Sequence, residues 1–266
     1  MIKLIMSDMD GTLLDGNGCL PEEFGEILTE LHKRHVIFAP ASGRQYFALR
    51  HQFADYADDL LFFAENGTYV SYHDVELFSS PMQPAMVSRV LNLAEKVPGV
   101  YPVVCGKKGA YVTSRNDGFF AEMEKYYTHY QLISDFAAID DEVIKVSLCD
   151  AQQADAEHNI YPVMKPLSGR LQVAVSGGYW VDVMNFGINK GIAIQQVQKL
   201  LGIAPKECAA FGDYLNDLEM MSSVYYSYAM ENAHPKIKEA ANFLAPSNEE
   251  HGVMRTIRMM LDKKMI

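Results

Sequence analysis

Positive charge is scarce in this chain. Its 266 residues carry 23 Lys and Arg against 34 Asp and Glu, a formal net charge of −11. Nucleic acid and anionic membranes both need a basic footprint, so neither is expected as a partner. A small phosphorylated ligand is not excluded, because a few local donors and one metal ion can hold phosphate inside an acidic protein. Cysteine is scarce too. Cys19, Cys105, Cys149 and Cys208 are scattered without CxxC or CxxH spacing, which speaks against a disulfide framework or zinc site and for reduced, buried thiols. The eight histidines form no HExxH pair. Gly106-Lys107-Lys108 lacks the glycine spacing and the Ser/Thr of a P-loop. The apolar stretch Met1 to Met6 stops at Ser7-Asp8, too short for a signal peptide or a spanning helix, so the chain reads as soluble and cytoplasmic.

What is plentiful is apolar residue: 49% hydrophobic against 21% charged, enough for a large packed core plus a smaller insert. Short continuous apolar runs end abruptly in polar or glycine-rich residues at Ile2–Met6, Val36–Ala39, Leu60–Ala64, Cys208–Phe211 and Tyr225–Ala229. Runs of this length suit strands buried on both faces of a parallel sheet. Between them, Phe24, Ile27, Leu28 and Leu31 fall at helix spacing after Pro21-Glu22-Glu23. Ile192, Val197, Leu200 and Leu201 do the same before Gly202. Strands alternating with helices predict an α/β fold: a doubly wound, mostly parallel, Rossmann-like sheet core. Ligands in such folds bind beyond the carboxyl ends of the strands.

The middle of the chain has a different pattern. Helical segments are expected over Ala85–Lys96 and Phe119–Tyr130, an alternating strand over Glu142–Leu148, and a hairpin from Leu171–Val175 to Tyr179–Met184. These predict an inserted α+β cap domain at 83–187, with the core formed by 1–82 and 188–266.

The chemistry-bearing residues sit at the strand ends. Asp8 and Asp10, two apart after a buried strand, can face one crevice, and Gly11 allows a sharp turn whose N–H groups can cradle a phosphate oxygen. Two carboxylates this close repel unless a cation lies between them, so a hard metal such as Mg²⁺ is expected. An Asp-rich strand-end turn is the bland alternative, and alone the two stand about even. Ser42-Gly43 can bind a phosphoryl oxygen or simply cap a helix. Lys190, opening a helix after Asn189, can meet phosphate or merely be a solvated surface lysine. In Gly212-Asp213-Tyr214-Leu215-Asn216-Asp217, Asp213 can be a third oxygen ligand or the cap of a helix starting at Tyr214.

Taken in order, Asp8-Met9-Asp10-Gly11-Thr12, Ser42-Gly43, Lys190 and Gly212-Asp213…Asn216-Asp217 resemble the four motifs of the haloacid dehalogenase-like (HAD) phosphohydrolases. Glu65-Asn66-Gly67, Asn189-Lys190-Gly191, Ala229-Met230-Glu231-Asn232-Ala233-His234-Pro235 and Gly252-Val253 resemble the Cof-type branch, which carries a large α+β cap. The resemblance implies a hydrolase acting on small phosphorylated metabolites, most of all sugar phosphates. Asp8 would attack phosphorus to form an aspartyl-phosphate, and Asp10 would serve as general acid and then base. Asp8, the Asp10 carbonyl and Asp213 would hold Mg²⁺. Ser42, the N–H groups at Met9 and Gly43, Lys190 and Asn216 would grip the phosphoryl oxygens, with Asp217 and Thr12 in support. Thr12 is expected to fix Asp10, and Tyr214, bulkier than usual after Asp213, to narrow the site rim. Asn66, Lys107 and Tyr179 are candidates for touching the leaving group. The chain would work as a monomer or small homo-oligomer. A phosphomutase of similar core and cap, and a non-enzymatic phosphate-binding module, stay open as alternatives.

Overall fold

The computed structural model describes residues 1–266. The chain divides into two compact units, one of Met1–Ser42, Phe53–Phe78 and Asn189–Ile266, the other of Gly43–Gln52 and Ser79–Ile188. In chain order the strands are β1 (Leu4–Ser7), β2 (Ile37–Pro40), β3 (Leu61–Ala64), β4 (Tyr69–Tyr72), β5 (Val75–Ser79), β6 (Val100–Gly106) and β7 (Ala110–Val112). They continue as β8 (Tyr130–Leu132), β9 (Val143–Asp150), β10 (Leu171–Val175), β11 (Trp180–Asn185), β12 (Cys208–Gly212), β13 (Tyr226–Met230) and β14 (Phe243–Ala245).

The first unit is built on a parallel five-stranded sheet ordered β14-β13-β12-β1-β2. Its central strand pairs Leu4 with Cys208 on one side and Ile37 on the other, and Ser7 with Phe211 and Pro40. All four residues of β1 are buried, which is why that run is continuous rather than alternating. Burying Leu4, Ile5 and Met6 contributes roughly 1.5–3 kcal/mol per side chain before entropic costs. A parallel bridge between Ala41 and Phe63 brings β3 alongside β2, and β3-β4-β5 form a small sheet of their own. The helix Phe24–Lys33 buries Phe24, Ile27, Leu28 and Leu31, the four residues whose spacing predicts it. Phe24 packs edge-on to Phe38 of β2, ring centroids 5.4 Å apart. Because the sheet is parallel, Ser7, Pro40, Gly212 and Met230 all end on one edge, and the loops that follow gather there.

The second unit carries a six-stranded sheet ordered β10-β11-β9-β6-β7-β8, antiparallel except for the β7–β8 pair. Alternation along β9 and β11 separates two faces. Val146, Leu148, Val181 and Val183 pack with Val87, Val90 and Ala94 of the helix Pro84–Ala94. Lys145, Ser147 and Asp182 lie on the other face, where Ser147 Oγ donates to Asp182 at 2.6 Å and Lys145 Nζ stands 3.7 Å from Asp182. Residues 43–52 join this unit through Gln45, whose side chain donates to the His129 carbonyl at 2.8 Å and accepts its N–H at 3.2 Å.

Three expectations need correction. The helix expected over Phe119–Tyr130 stops at Met123, because Tyr127 turns inward to donate to Ser147 at 2.7 Å and Tyr130 enters β8. In the helix Lys190–Leu201, Ile192, Leu200 and Leu201 face outward, and the buried stripe is Lys190, Gly191, Ala193, Ile194, Val197 and Gln198. Cys19 is exposed; only Cys105, Cys149 and Cys208 are the buried thiols expected of all four. No helix is long and apolar enough to cross a membrane.

Candidate active site

The residues after β1 form a five-residue wide turn, Met9–Leu13, closed by Leu13 N–H on the Asp8 carbonyl (3.3 Å) and Leu14 N–H on that of Met9 (2.9 Å). Inside it Asp10 (φ −78°, ψ 121°) and Gly11 (φ 78°, ψ 1°) take the torsions of a type II turn, whose third residue needs the left-handed conformation that glycine adopts freely. Asp8 is buried and Asp10 is exposed. The strand anchors the start of this turn: Asp8 N–H donates to Phe211 of β12 at 2.9 Å.

Lys190 meets Asp8 from across the sheet. It opens the helix Lys190–Leu201, whose first turn is capped by the Asn189 side chain accepting from Ile192 N–H. The Lys190 side chain is fully buried, its Nζ 2.6 Å from Asp8 Oδ1 and 2.7 Å from Asp217 Oδ1. The other Asp217 oxygen accepts the N–H groups of Asp213 (3.1 Å) and Tyr214 (3.2 Å). Asp217 therefore ties the loop after β12 to the lysine. The capping role weighed for Asp213 falls to Asp217, which reaches back to the start of its own turn. Thr12, expected to hold Asp10, donates its hydroxyl to Asp213 Oδ1 at 2.9 Å.

One carboxylate oxygen from each of Asp8, Asp213 and Asp217 lies within 4.8 Å of the others. A single ammonium faces these three acids. Burial pushes Asp8 well above the ordinary carboxylate range; Lys190 opposes that, and Asp217 and Asp213 add to it. Burial likewise lifts Asp213 to about 6, against the hydrogen bond from Thr12 and with the repulsion of Asp217. Burial alone would pull the Lys190 ammonium down, yet Asp217 and Asp8 hold it above its ordinary value. The cluster thus has an excess of buried negative charge and all-oxygen donors, which fits a hard divalent cation such as Mg²⁺. Asp217 already serves Lys190 and two N–H groups, so Asp8 and Asp213 are the carboxylates best suited to it. Asp10 is not in the carboxylate cluster; its expected contribution was the backbone carbonyl.

Ser42 follows β2, buried, with its N–H on the Phe63 carbonyl (2.9 Å) and its own carbonyl accepting from Asn66 N–H (2.9 Å). The Glu65-Asn66-Gly67 turn has three successive positive φ values, 52°, 57° and 90°. Such strain persists only where surroundings hold it. Gly67 lies against Asn189, so this turn braces both Ser42 and the start of the lysine helix. Gly43 belongs to the second unit, where its carbonyl accepts from Lys145 Nζ at 3.1 Å. Asn216 is exposed on the short turn Leu215–Asp217. Tyr214 is largely exposed beside His234. Of the leaving-group candidates, Asn66 is buried in the first unit. Lys107 pairs with Glu142 at 2.8 Å and Tyr179 is exposed, both in the second unit. Two asparagines with no assigned role touch this segment, Asn232 at the Gly11 carbonyl within the Met9–Leu13 turn and Asn248 at the Leu14 carbonyl just after it. Asn232 lies in the 229–235 stretch that carries part of the resemblance; nothing in the sequence singles out Asn248.

This geometry has relatives. The haloacid dehalogenase-like hydrolase family matches residues 5–257. The 5-amino-6-(5-phospho-D-ribitylamino)uracil phosphatase YbjI of Escherichia coli is 31% identical over 263 residues, covering 98% of this chain and 96% of that one. The HMP-PP phosphatase of Klebsiella pneumoniae is 28% identical over 240 residues, covering 90% and 87%. Among solved structures, SMU.1108c from Streptococcus mutans superposes with a TM-score of 0.86 at 31% identity, covering 98% of this chain and all of that one. With a family match over nearly its whole length, the chain belongs to the haloacid dehalogenase-like hydrolases and is a phosphatase of their Cof-type branch.

Proposed function

We propose that this phosphatase is Mg²⁺-dependent, takes small phosphorylated metabolites, chiefly sugar phosphates, and works through an aspartyl-phosphate on Asp8. The observation that carries the reading is the Lys190 ammonium set between Asp8 and Asp217, with Asp213 completing the acid cluster. Asp8, Asp213 and the Asp10 carbonyl would hold the ion. When bound, Mg²⁺ supplies the positive charge that keeps Asp8 and Asp213 ionised and offsets the charge of the phosphoryl oxygens.

The chain's own groups account for the rest. An Asp8 oxygen attacks phosphorus as the P–O bond to the leaving group breaks, and Asp10 gives its proton to the departing oxygen. Water then attacks the acyl phosphate on the phosphorus side, giving its proton to Asp10 and restoring the Asp8 carboxylate. Lys190, pinned by Asp217 and stripped of water, holds its charge beside the reacting oxygens in a low-dielectric site, where it acts more strongly than in solvent. Ser42, the Met9 N–H and Asn216 complete the grip on the phosphoryl group. Thr12 keeps the Asp213 carboxylate turned towards Asp8. The sugar-phosphate preference draws support from the E. coli relative, whose name specifies a 5-phospho-D-ribityl group.

The test is turnover of a panel of sugar phosphates, nucleotides and aryl phosphates with Mg²⁺ and with EDTA, together with Asp8→Asn. Release of inorganic phosphate that needs Mg²⁺ and vanishes in Asp8→Asn is expected. Unchanged hydrolysis by Asp8→Asn would remove the nucleophile assignment, and conversion to an isomeric sugar phosphate would favour a mutase.

A further inference from the structure

The loop after β13 reaches both halves of the acid cluster. The Asn232 side-chain amide donates to the Gly11 carbonyl at 2.7 Å, and its Oδ1 accepts the Asn248 N–H at 3.2 Å. Asn248, buried, sends its own amide to the Leu14 carbonyl at 3.0 Å. Two residues beyond Asn232, the His234 N–H donates to the Asp213 carbonyl at 2.8 Å. One short loop is therefore bonded to the Asp8–Leu14 turn and to the loop that presents Asp213.

The turn needs such help. Its backbone bonds at Leu13 and Leu14 close a single turn, which is marginal because few bonds repay its fixed torsions. The asparagine pair adds two more, on carbonyls that an isolated turn would leave to water. Their placement matters as much as their number. Gly11 is the third residue of the type II turn, so the position of its carbonyl fixes the end of the turn that carries Asp10. Pinning that carbonyl holds the turn against shifting as a whole.

We propose that Asn232 is a positioning residue for the phosphoryl-transfer reaction: its amide holds the Asp10–Gly11 turn in the conformation that aims Asp10, while the same loop sets the turn's distance from Asp213. The inference rests on the phosphatase reading with Asp10 as general acid. Asn248 supports Asn232 and does not touch the reacting groups.

The test compares the full-length wild type with Asn232→Ala and Asn232→Asp. The second keeps the acceptor for Asn248 and replaces the donor to Gly11 by a carboxylate oxygen that repels its carbonyl. Two measurements separate a positioning role from plain loss of stability. The first is kcat on an aryl phosphate, whose leaving group needs no proton, and on an alkyl phosphate, which does. Loss of aim at Asp10 should lower kcat on the alkyl ester by about 10- to 100-fold in both variants, and on the aryl ester by about threefold or less. The second is amide hydrogen exchange without substrate, which should speed up at Leu13 and Leu14 by about tenfold or more and stay unchanged at Ile5 and Met6. Equal losses on both esters, or unchanged exchange at Leu13 and Leu14, would overturn the proposal. If Asn232→Ala does not fold, Asn232→Asp decides it. A wild type inert towards both esters would sink the phosphatase reading instead, and the exchange data would still decide whether Asn232 holds the turn.

Discussion

Gly11 and Asp213 touch where no side chain fits between them: a Cβ built on Gly11 would lie 2.5 Å from Asp213 Oδ2. Gly11 also holds a φ of 78°, so alanine there meets two obstacles, a strained backbone costing about 1–2 kcal/mol and a displaced carboxylate. Asp213 is tethered by Thr12 and cannot simply swing away. Gly11→Ala is expected to weaken Mg²⁺ binding by about tenfold or more in titration calorimetry, the effect usual for disturbing a ligand's orientation. Wild-type affinity in a folded Gly11→Ala would show that Asp213 is not a metal ligand.

Lys190→Met replaces the buried ammonium by an apolar chain of similar length and leaves Asp8 and Asp217 facing one another. Removing one partner of a buried ion cluster typically costs about 3–5 kcal/mol. The lysine pKa is raised, so its charge is constant between pH 5 and 8, and pH dependence in the variant comes from the carboxylates. Asp8, which burial already pushes well above the ordinary carboxylate range, can take up a proton at low pH, so the loss should be larger at pH 8 than at pH 5. Urea denaturation at both pH values measures it, and an equal loss at the two would refute the charge argument.

Asp213 gives a pH signature with a definite sign. Its pKa rises from 3.8 to about 6 on folding. Within that window the folded chain keeps a proton that the unfolded chain releases. Its contribution to stability is therefore favourable at pH 4 and declines as pH rises to 6. Asp8 shifts in the same direction. The stability of wild type relative to Asp213→Asn, read from thermal unfolding, should fall from pH 4 to 6, and added Mg²⁺ should reverse the trend only in wild type. A flat difference across the window would show that burial does not hold the proton on Asp213.

Much of this arrangement was legible in sequence because parallel strands buried on both faces leave short apolar runs. In a parallel sheet the next residues all emerge at one edge. Asp8 after β1, Ser42 after β2 and Asp213 after β12 follow from that alone. Contacts between distant segments were not legible. Thr12 reaches Asp213 across 201 residues, and Asp217 serves Lys190 and the Asp213 N–H together; no local pattern encodes either. The lysine helix shows a second limit. Ile192, Leu200 and Leu201 look like its core face, but the buried side is the one with Gly191 and Ala193, where small residues allow close approach. Hydrophobic spacing reports which residues would profit from burial, and it misses a face selected for closeness.

That closeness makes the last prediction. A Cβ on Gly191 would fall inside van der Waals contact of the Glu219 carbonyl, at the start of the helix bearing Lys190. By helix propensity alone Gly191→Ala should stabilise the chain by about 1 kcal/mol. The clash has the opposite sign, and a backbone carbonyl cannot rotate aside as a side chain can. Relief requires the helix start to move, carrying Lys190 away from oxygens now 2.6 and 2.7 Å from it. Gly191→Ala should therefore unfold at lower temperature than wild type and lose kcat by about 10-fold or more, since misplacement of about 1 Å can cost a hundredfold. The neighbouring Ala193, already accommodated on the same face, gives the control: Ala193→Gly should lose about 1 kcal/mol of stability with little change in kcat. A rise in melting temperature for Gly191→Ala would mean that propensity outweighs the contact with Glu219, and that the position of Lys190 does not depend on it.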